Sequence, residues 1–228
     1  MKRFPVVPII LLIISLASRT DAQENIAIYG LDPLLYNGRI YTFNLTKETI
    51  GHPFMLSQNY ESGDVVIRNE KFEDVVLNYD IYNQELILKY EDIYGAVNLI
   101  KLSKAWLRGF HLHHREFVLM ETGDGQEGFY QVIGSDSLQV LYYWEKEMTL
   151  SKEVGKSNYH FSEPVKTMYL YENEVLYRFR NNKSFLEYFG PAVRDSIKIH
   201  LAQNKIKVKK ASDELMLNLI NYCHQLRN

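Results

Sequence analysis

The residues best suited to chemistry lie in Phe110-His111-Leu112-His113-His114, where three of the seven histidines of the chain gather. On a β-strand, His111 and His113 project from one face two residues apart, a spacing that suits two ligands of a zinc or copper ion. Such an ion needs at least a third protein ligand, for which His52, His160 and Glu116 are the candidates. No spacing singles out any of them, so the competing expectation is three polar rings at the end of an exposed strand. Other catalytic patterns are missing: Cys223 is the single cysteine, and there is no Gly-x-Ser-x-Gly elbow, no His-Glu-x-x-His helix and no phosphate-binding glycine loop. Neighbouring carboxylates such as Glu91-Asp92 point to opposite faces of a strand. No cofactor is implied. The first reading is a non-enzymatic structural or ligand-binding component, and the enzyme alternative is a metal-dependent hydrolase using His111 and His113.

Binding residues are sought among the aromatics. The clusters Tyr142-Tyr143-Trp144 and Tyr169-Leu170-Tyr171 offer Tyr142, Trp144, Tyr169 and Tyr171 for a sugar- or lipid-binding surface, although strand alternation commits about half of each cluster to a core. A second candidate is the run Asn204-Lys205-Ile206-Lys207-Val208-Lys209-Lys210, with no acidic residue between Asp195 and Asp213. It reads either as a basic patch facing anionic lipid or polysaccharide or, preferably, as an edge strand whose lysines discourage further pairing. The partner would then be an envelope protein, a polysaccharide or a lipid.

The elements that must position these residues follow from composition and period. The 228 residues carry 26 Lys plus Arg against 28 Asp plus Glu, with 24% charged and 46% hydrophobic side chains, which excludes a disordered chain and a basic nucleic-acid binder. Aromatic residues reach 13%, with 17 Tyr and 11 Phe, a bias toward pleated, half-buried surfaces. One cysteine excludes an internal disulfide, so packing and hydrogen bonding hold the fold.

Residues 1–22 read as a secretory signal peptide, with a basic Met1-Lys2-Arg3, an apolar run from Val6 to Leu16 and small residues in Thr20-Asp21-Ala22 before a cleavage site. The apolar run is shorter than the ~20 residues that span a bilayer. No cysteine follows it to carry a lipid. Removal of Lys2, Arg3, Arg19 and Asp21 leaves 23 basic and 27 acidic side chains. The expected location is the periplasm or outer envelope, with no transmembrane span in the mature chain.

Eleven of the twelve glycines lie between Gly30 and Gly155, a turn spacing that predicts an all-β meander, sandwich or partly open barrel over 23–181. A first strand over 39–45 puts Tyr41, Phe43 and Leu45 on one face, and Val75, Leu77 and Tyr79 repeat the pattern before a hairpin partner with Leu86, Leu88 and Tyr90. Further strands are predicted near 64–68, 96–102, 115–121, 128–133, 138–146, 166–172 and 174–180, with turns at Gly123-Asp124-Gly125 and Glu172-Asn173. Residues 182–228 form a C-terminal α-helical subdomain. One turn lies over 184–189, a helix opens at Gly190-Pro191 with Val193, Ile197 and Leu201 on one stripe, and a last helix after Ser212 has the stripe Leu215, Leu219, Cys223 and Leu226. A curved half-barrel with a continuous apolar concavity would instead serve as a periplasmic lipid or lipoprotein carrier.

Gly51-His52-Pro53-Phe54, then Gly63-x-Val65, Phe72 and Val75-x-Leu77-x-Tyr79-Asp80, resemble a group of uncharacterised exported β-rich envelope proteins of Gram-negative bacteria. The Asn181-Asn182-Lys183-Ser184 turn leading into a lysine-rich helical tail is similar to that group as well. The resemblance implies export and a β-rich fold, and it carries no catalytic or binding residue.

Overall fold

The structure, a computed structural model, describes residues 32–43, 49–121, 127–134, 137–150 and 158–227. The chain divides after Asp32 into two units, and every element below belongs to the second, Pro33–Asn228. The signal peptide expected over 1–22, Leu45 of the expected first strand and the Gly123-Asp124-Gly125 turn lie outside the described residues.

The protein is mainly β. Eleven strands form one antiparallel sheet in the order β1-β5-β4-β3-β2-β6-β7-β8-β9-β12-β13, and β10 and β11 form a separate pair. The strands are β1 (Gly38–Ile40), β2 (Glu61–Ile67), β3 (Glu70–Asp80), β4 (Glu85–Glu91), β5 (Val97–Leu102), β6 (Leu107–Leu112) and β7 (Arg115–Glu121). They continue as β8 (Glu127–Ile133), β9 (Gln139–Glu145), β10 (Met148–Leu150), β11 (Tyr159–Phe161), β12 (Val165–Glu172) and β13 (Val175–Phe179). Most neighbours are joined as hairpins, but β5 leads directly to β6, four strand spacings away across β4, β3 and β2. In a flat sheet that distance is about 19 Å. Residues 103–106, drawn out fully, bridge only about 17 Å, and they include a turn. The first half of the sheet must therefore curl. It stays open, because β1 and β13 do not pair.

Curling buries the apolar face of the expected β3–β4 hairpin, in which Leu77 lies opposite Leu88 and Tyr79 opposite Leu86. Tyr79 is fully buried, and the rings of Phe110, Phe117 and Phe129 approach it edge-on at 5.3, 5.4 and 5.5 Å. Its hydroxyl donates to Gln84 Oε1 at 2.6 Å, so the buried donor is satisfied. The turn is built by Asp80, whose Oδ1 accepts from the backbone N–H groups of Tyr82 and Asn83. A bulge between Gly63 and Val65 adds twist in β2, where a Cβ on Gly63 would lie 2.4 Å from the His111 carbonyl oxygen. The strand expected over 39–45 ends at Ile40. Asp80 is wholly buried, and the Tyr41 hydroxyl donates to its Oδ2 at 2.8 Å while the Tyr41 N–H still donates to the Leu99 carbonyl of β5 at 2.9 Å. The Phe43 ring stacks beside that of Tyr41 at 6.5 Å, on the same side as expected, and also packs against Tyr82 and Phe161.

The C-terminal region is helical: α1 (Asn182–Glu187), α2 (Pro191–Gln203), a 3₁₀ turn (Val208–Lys210) and α3 (Asp213–Gln225). Asn181 and Ser184 form a reciprocal cap on α1, Pro191 opens α2 and the Ser212 hydroxyl accepts from Leu215 N–H at the start of α3. Ile197, Leu201, Met216, Leu219, Ile220 and Cys223 pack on Val140, Tyr142, Met168, Leu170 and Phe179 of the sheet. The buried stripe of α3 is Met216, Leu219, Ile220 and Cys223, and Leu215, expected inside, is 37% exposed. Burial pushes the Cys223 thiol up to about 12, as befits a packed hydrophobe.

The edge strand expected over 205–210 does not form. Ile206 and Val208 do point inward while the lysines point out. Their hydrogen-bonding partner is a side chain: the Asn182 amide donates to the Ile206 carbonyl at 2.7 Å, and its oxygen accepts from Val208 N–H at 2.9 Å. One carboxamide supplies the donor and acceptor that a neighbouring strand would have offered.

Candidate ligand groove

The histidines are separated by a turn. β6 ends at Leu112, which pairs with Arg115, so His113 and His114 are the two central residues of a hairpin. Both have positive φ, 52° and 60°, the conformation that matches the twist of flanking strands. His113 Nδ1 lies 2.8 Å from Glu61 Oε2, whereas His111 stays on the strand, exposed, opposite Asp64 on β2 and Glu116 on β7. His111 and His113 therefore do not share a strand face. His160 lies on β11, and His52 packs against Phe54. Burial, reinforced by the nearby Lys146 ammonium, lowers the His52 pKa. Lys146 is itself pushed down by burial and donates to the carbonyls of His52 and Phe54, which ties the 52–54 segment to the sheet. Among the described residues no three His, Cys, Asp or Glu side chains gather as metal ligands.

The four aromatic candidates fall on opposite faces of the sheet. Tyr142 and Trp144 face the helices, while Tyr169 and Tyr171 alternate away from Met168 and Leu170, which belong to the helix-covered core. They cannot form one binding surface. Tyr169 packs instead with Tyr130, which also meets Tyr143.

Tyr142 and Trp144 belong to a polar seam. Trp144 Nε1 donates to Gln131 Oε1, and Gln131 Nε2 donates to Asp213 Oδ2, both at 2.8 Å. Arg115 Nε reaches the same carboxylate oxygen at 3.0 Å. Lys166 Nζ lies 3.8 Å from the Tyr142 ring centre and 5.6 Å from that of Trp144, a cation–π arrangement. Burial lowers the Lys166 pKa against the opposing pull of Asp213, and burial, followed by Asp213, raises that of Tyr142. These contacts pin the start of α3 onto the sheet.

The open groove lies on the other side of the helical layer. It has a volume of about 820 Å³ between α1, α2 and the 205–207 segment. Leu186, Leu201, Ala202 and Ile206 make its apolar floor. Arg194 is one of its cations, but its guanidinium donates to the carbonyls of Leu186 and Phe189 and so caps the end of α1. The other cations, Lys183, Lys198, Lys205 and Lys207, are exposed, and their side chains make no ion pair or hydrogen bond among the described residues. Glu187 and Asp195 are the acids on its lining. Two of these lysines belong to the basic run picked out by the lack of acids between Asp195 and Asp213. Lys183, Lys198 and the apolar floor carry no pattern of their own, since three separate elements contribute them.

A smaller cleft of about 460 Å³ contains His111 with Asp64, Lys71, Arg108 and Glu116. Its charges are already paired in part, with Lys71 Nζ 3.1 Å from Asp64 Oδ2. Comparison of the chain with protein-family models, with curated proteins and with solved structures finds no match.

Proposed function

We propose that the protein is an exported, envelope-associated binding component without chemistry of its own, and that its groove holds an acidic, amphipathic segment of a partner protein. The observation that carries this reading is the set of four lysines, unpaired among the described residues, around an apolar floor. Such a rim attracts carboxylates and raises the rate of encounter with an acidic partner. A protein segment suits the floor better than an acyl chain does. Four separate cations around the floor match the several carboxylates of a peptide segment, whereas a fatty acid offers only one. The concave side of the curled half is filled by Tyr79 and its ring neighbours, which likewise favours a surface-bound partner over an enclosed lipid.

Export is supported by the Met1-Lys2-Arg3 start, the apolar run and Thr20-Asp21-Ala22, together with the resemblance to exported envelope proteins. Mature protein then begins at Gln23, which an intact-mass measurement on exported protein checks directly.

Binding is tested with a fluorescein-labelled amphipathic peptide of leucine and glutamate, its glutamine counterpart and oleate. The acidic peptide should bind, more weakly as salt rises, and the Lys198→Glu/Lys205→Glu variant should lose roughly tenfold in affinity or more. Equal binding of the glutamine peptide, or a preference for oleate, would overturn the reading.

A further inference from the structure

We infer, resting on that reading of the groove, that its occupant is the β4–β5 turn of a second copy of this chain, whose Glu91-Asp92-Ile93-Tyr94 is the acidic, amphipathic segment. Tyr94 is 88% and Ile93 73% exposed in that turn, and Val97 just beyond it is exposed as well. Glu91 stands beside them, also exposed, and no Lys, Arg or His occurs between Lys89 and Lys101. Its side chain makes no ion pair or hydrogen bond among the described residues. Ile40 is as open, but it follows Arg39, which pairs with Lys101, and a lysine rim repels that end of the sheet. The β4–β5 turn thus offers carboxylates to the four lysines and two apolar side chains to the floor between them.

The turn is held in shape by its own hydrogen bonds. Asp92 Oδ1 accepts from the backbone N–H groups of Tyr94 and Ala96, both at 2.9 Å, and its Oδ2 accepts from the Asn98 amide at 3.2 Å. The Asp92 N–H donates to the Ala96 carbonyl and the Gly95 N–H to the Asp92 carbonyl, while Gly95 takes the positive φ of 78° that closes the loop. A loop already bonded internally loses little freedom on binding. Tyrosine is among the side chains that anchor interfaces when they fill a pocket, and a groove of about 820 Å³ has room for it. The contact joins different surfaces of the two copies, a turn to a groove, so removing either surface from one copy leaves the other surface intact.

Sedimentation equilibrium on the full chain tests the proposal, with Ile93→Ser/Tyr94→Ser as the turn variant, Lys198→Glu/Lys205→Glu as the groove variant, and thermal melts confirming that each folds. The wild-type chain should self-associate, and each variant alone should do so at least about tenfold more weakly. An equimolar mixture should form a two-copy species, because the groove variant keeps its turn and the turn variant keeps its groove. A wild-type monomer at every concentration, a turn variant that associates like wild type, or a mixture no better than its components would each overturn the proposal. The leucine–glutamate peptide separates that failure from failure of the groove reading, since the turn variant retains every lysine and should bind the peptide at least as tightly as wild type. Peptide binding by a chain that stays monomeric would remove the second copy and leave the groove reading standing. Peptide binding by neither chain would overturn both.

Discussion

From β2 to β7 the sheet covers its own apolar face by curling, until Phe110, Phe117 and Phe129 close around Tyr79; from β9 to β13 the same face is covered by three helices. The curled half combines hairpins joined by short turns with one long-range pairing, β2 against β6, that closes the curl. The helical half depends on contacts between residues far apart in the chain, and it needs ties at both ends of α3. At the start, Asp213 accepts from Arg115 and Gln131. At the end, Glu172 accepts from Arg227 and Tyr188. A covering that must be tied down is also one whose outer side remains available, and the lysine-rimmed groove lies there.

The comparison breaks most decisively at Leu219. It is fully buried between α3 and the sheet, and Leu219→Asp places an unpaired carboxylate there, so we expect a loss of several kcal/mol. Helical circular dichroism should fall before the sheet signal does. An unchanged melting temperature would mean that α3 does not dock as described.

Tyr79→Ala attacks the other half. Removing a ring that fills the centre of the curl should cost about 3–5 kcal/mol in urea denaturation, as for other large aromatic truncations. The milder Tyr79→Phe leaves Gln84 without one donor and should cost about 1 kcal/mol.

The seam between the halves is tested by Asp213→Ala. Gln131 is 1% exposed, and losing its acceptor strands a buried amide at a cost of about 1–3 kcal/mol. Trp144 touches both hydrophobic clusters, so its fluorescence should report the change.

The smallest effect concerns pH. Burial alone would raise the Glu172 pKa, but the Arg227 and Tyr188 hydrogen bonds outweigh it and hold the carboxyl below its usual 4.5. A depressed folded pKa contributes stability that is complete above the unfolded value and disappears as pH falls through the folded one. Acidification below about 4.5 should therefore loosen the end of α3, read as faster amide exchange near Cys223 to Leu226, and Glu172→Gln should remove that pH dependence.

Much of the scaffold was legible in the sequence because it is local. The β7 range of 115–121, the β3–β4 hairpin and the proline-initiated α2 all follow from period, turn residues and caps. Where sequence reading failed, a side chain from a distant segment had replaced a local partner. The Tyr41 hydroxyl is bonded to Asp80, where the first strand was expected to run on, and Asn182 bridges Ile206 and Val208 in the run expected as an edge strand. His113-His114 lacks the glycine or asparagine that ordinarily marks a two-residue turn, so the histidines read as one strand face. The groove was visible only as a basic run, because Leu186, Lys198 and Ile206 meet through tertiary packing alone.

The central claim, that recognition belongs to the helix-covered half, is tested most directly by an amide chemical-shift titration of the protein with the acidic leucine–glutamate peptide. The account predicts shifts concentrated at Lys183, Leu186, Lys198, Ala202, Lys205 and Lys207, saturating with the peptide and reversed by salt. Shifts concentrated instead around His111, or across Tyr130, Tyr143 and Tyr169 on the opposite face, would contradict it.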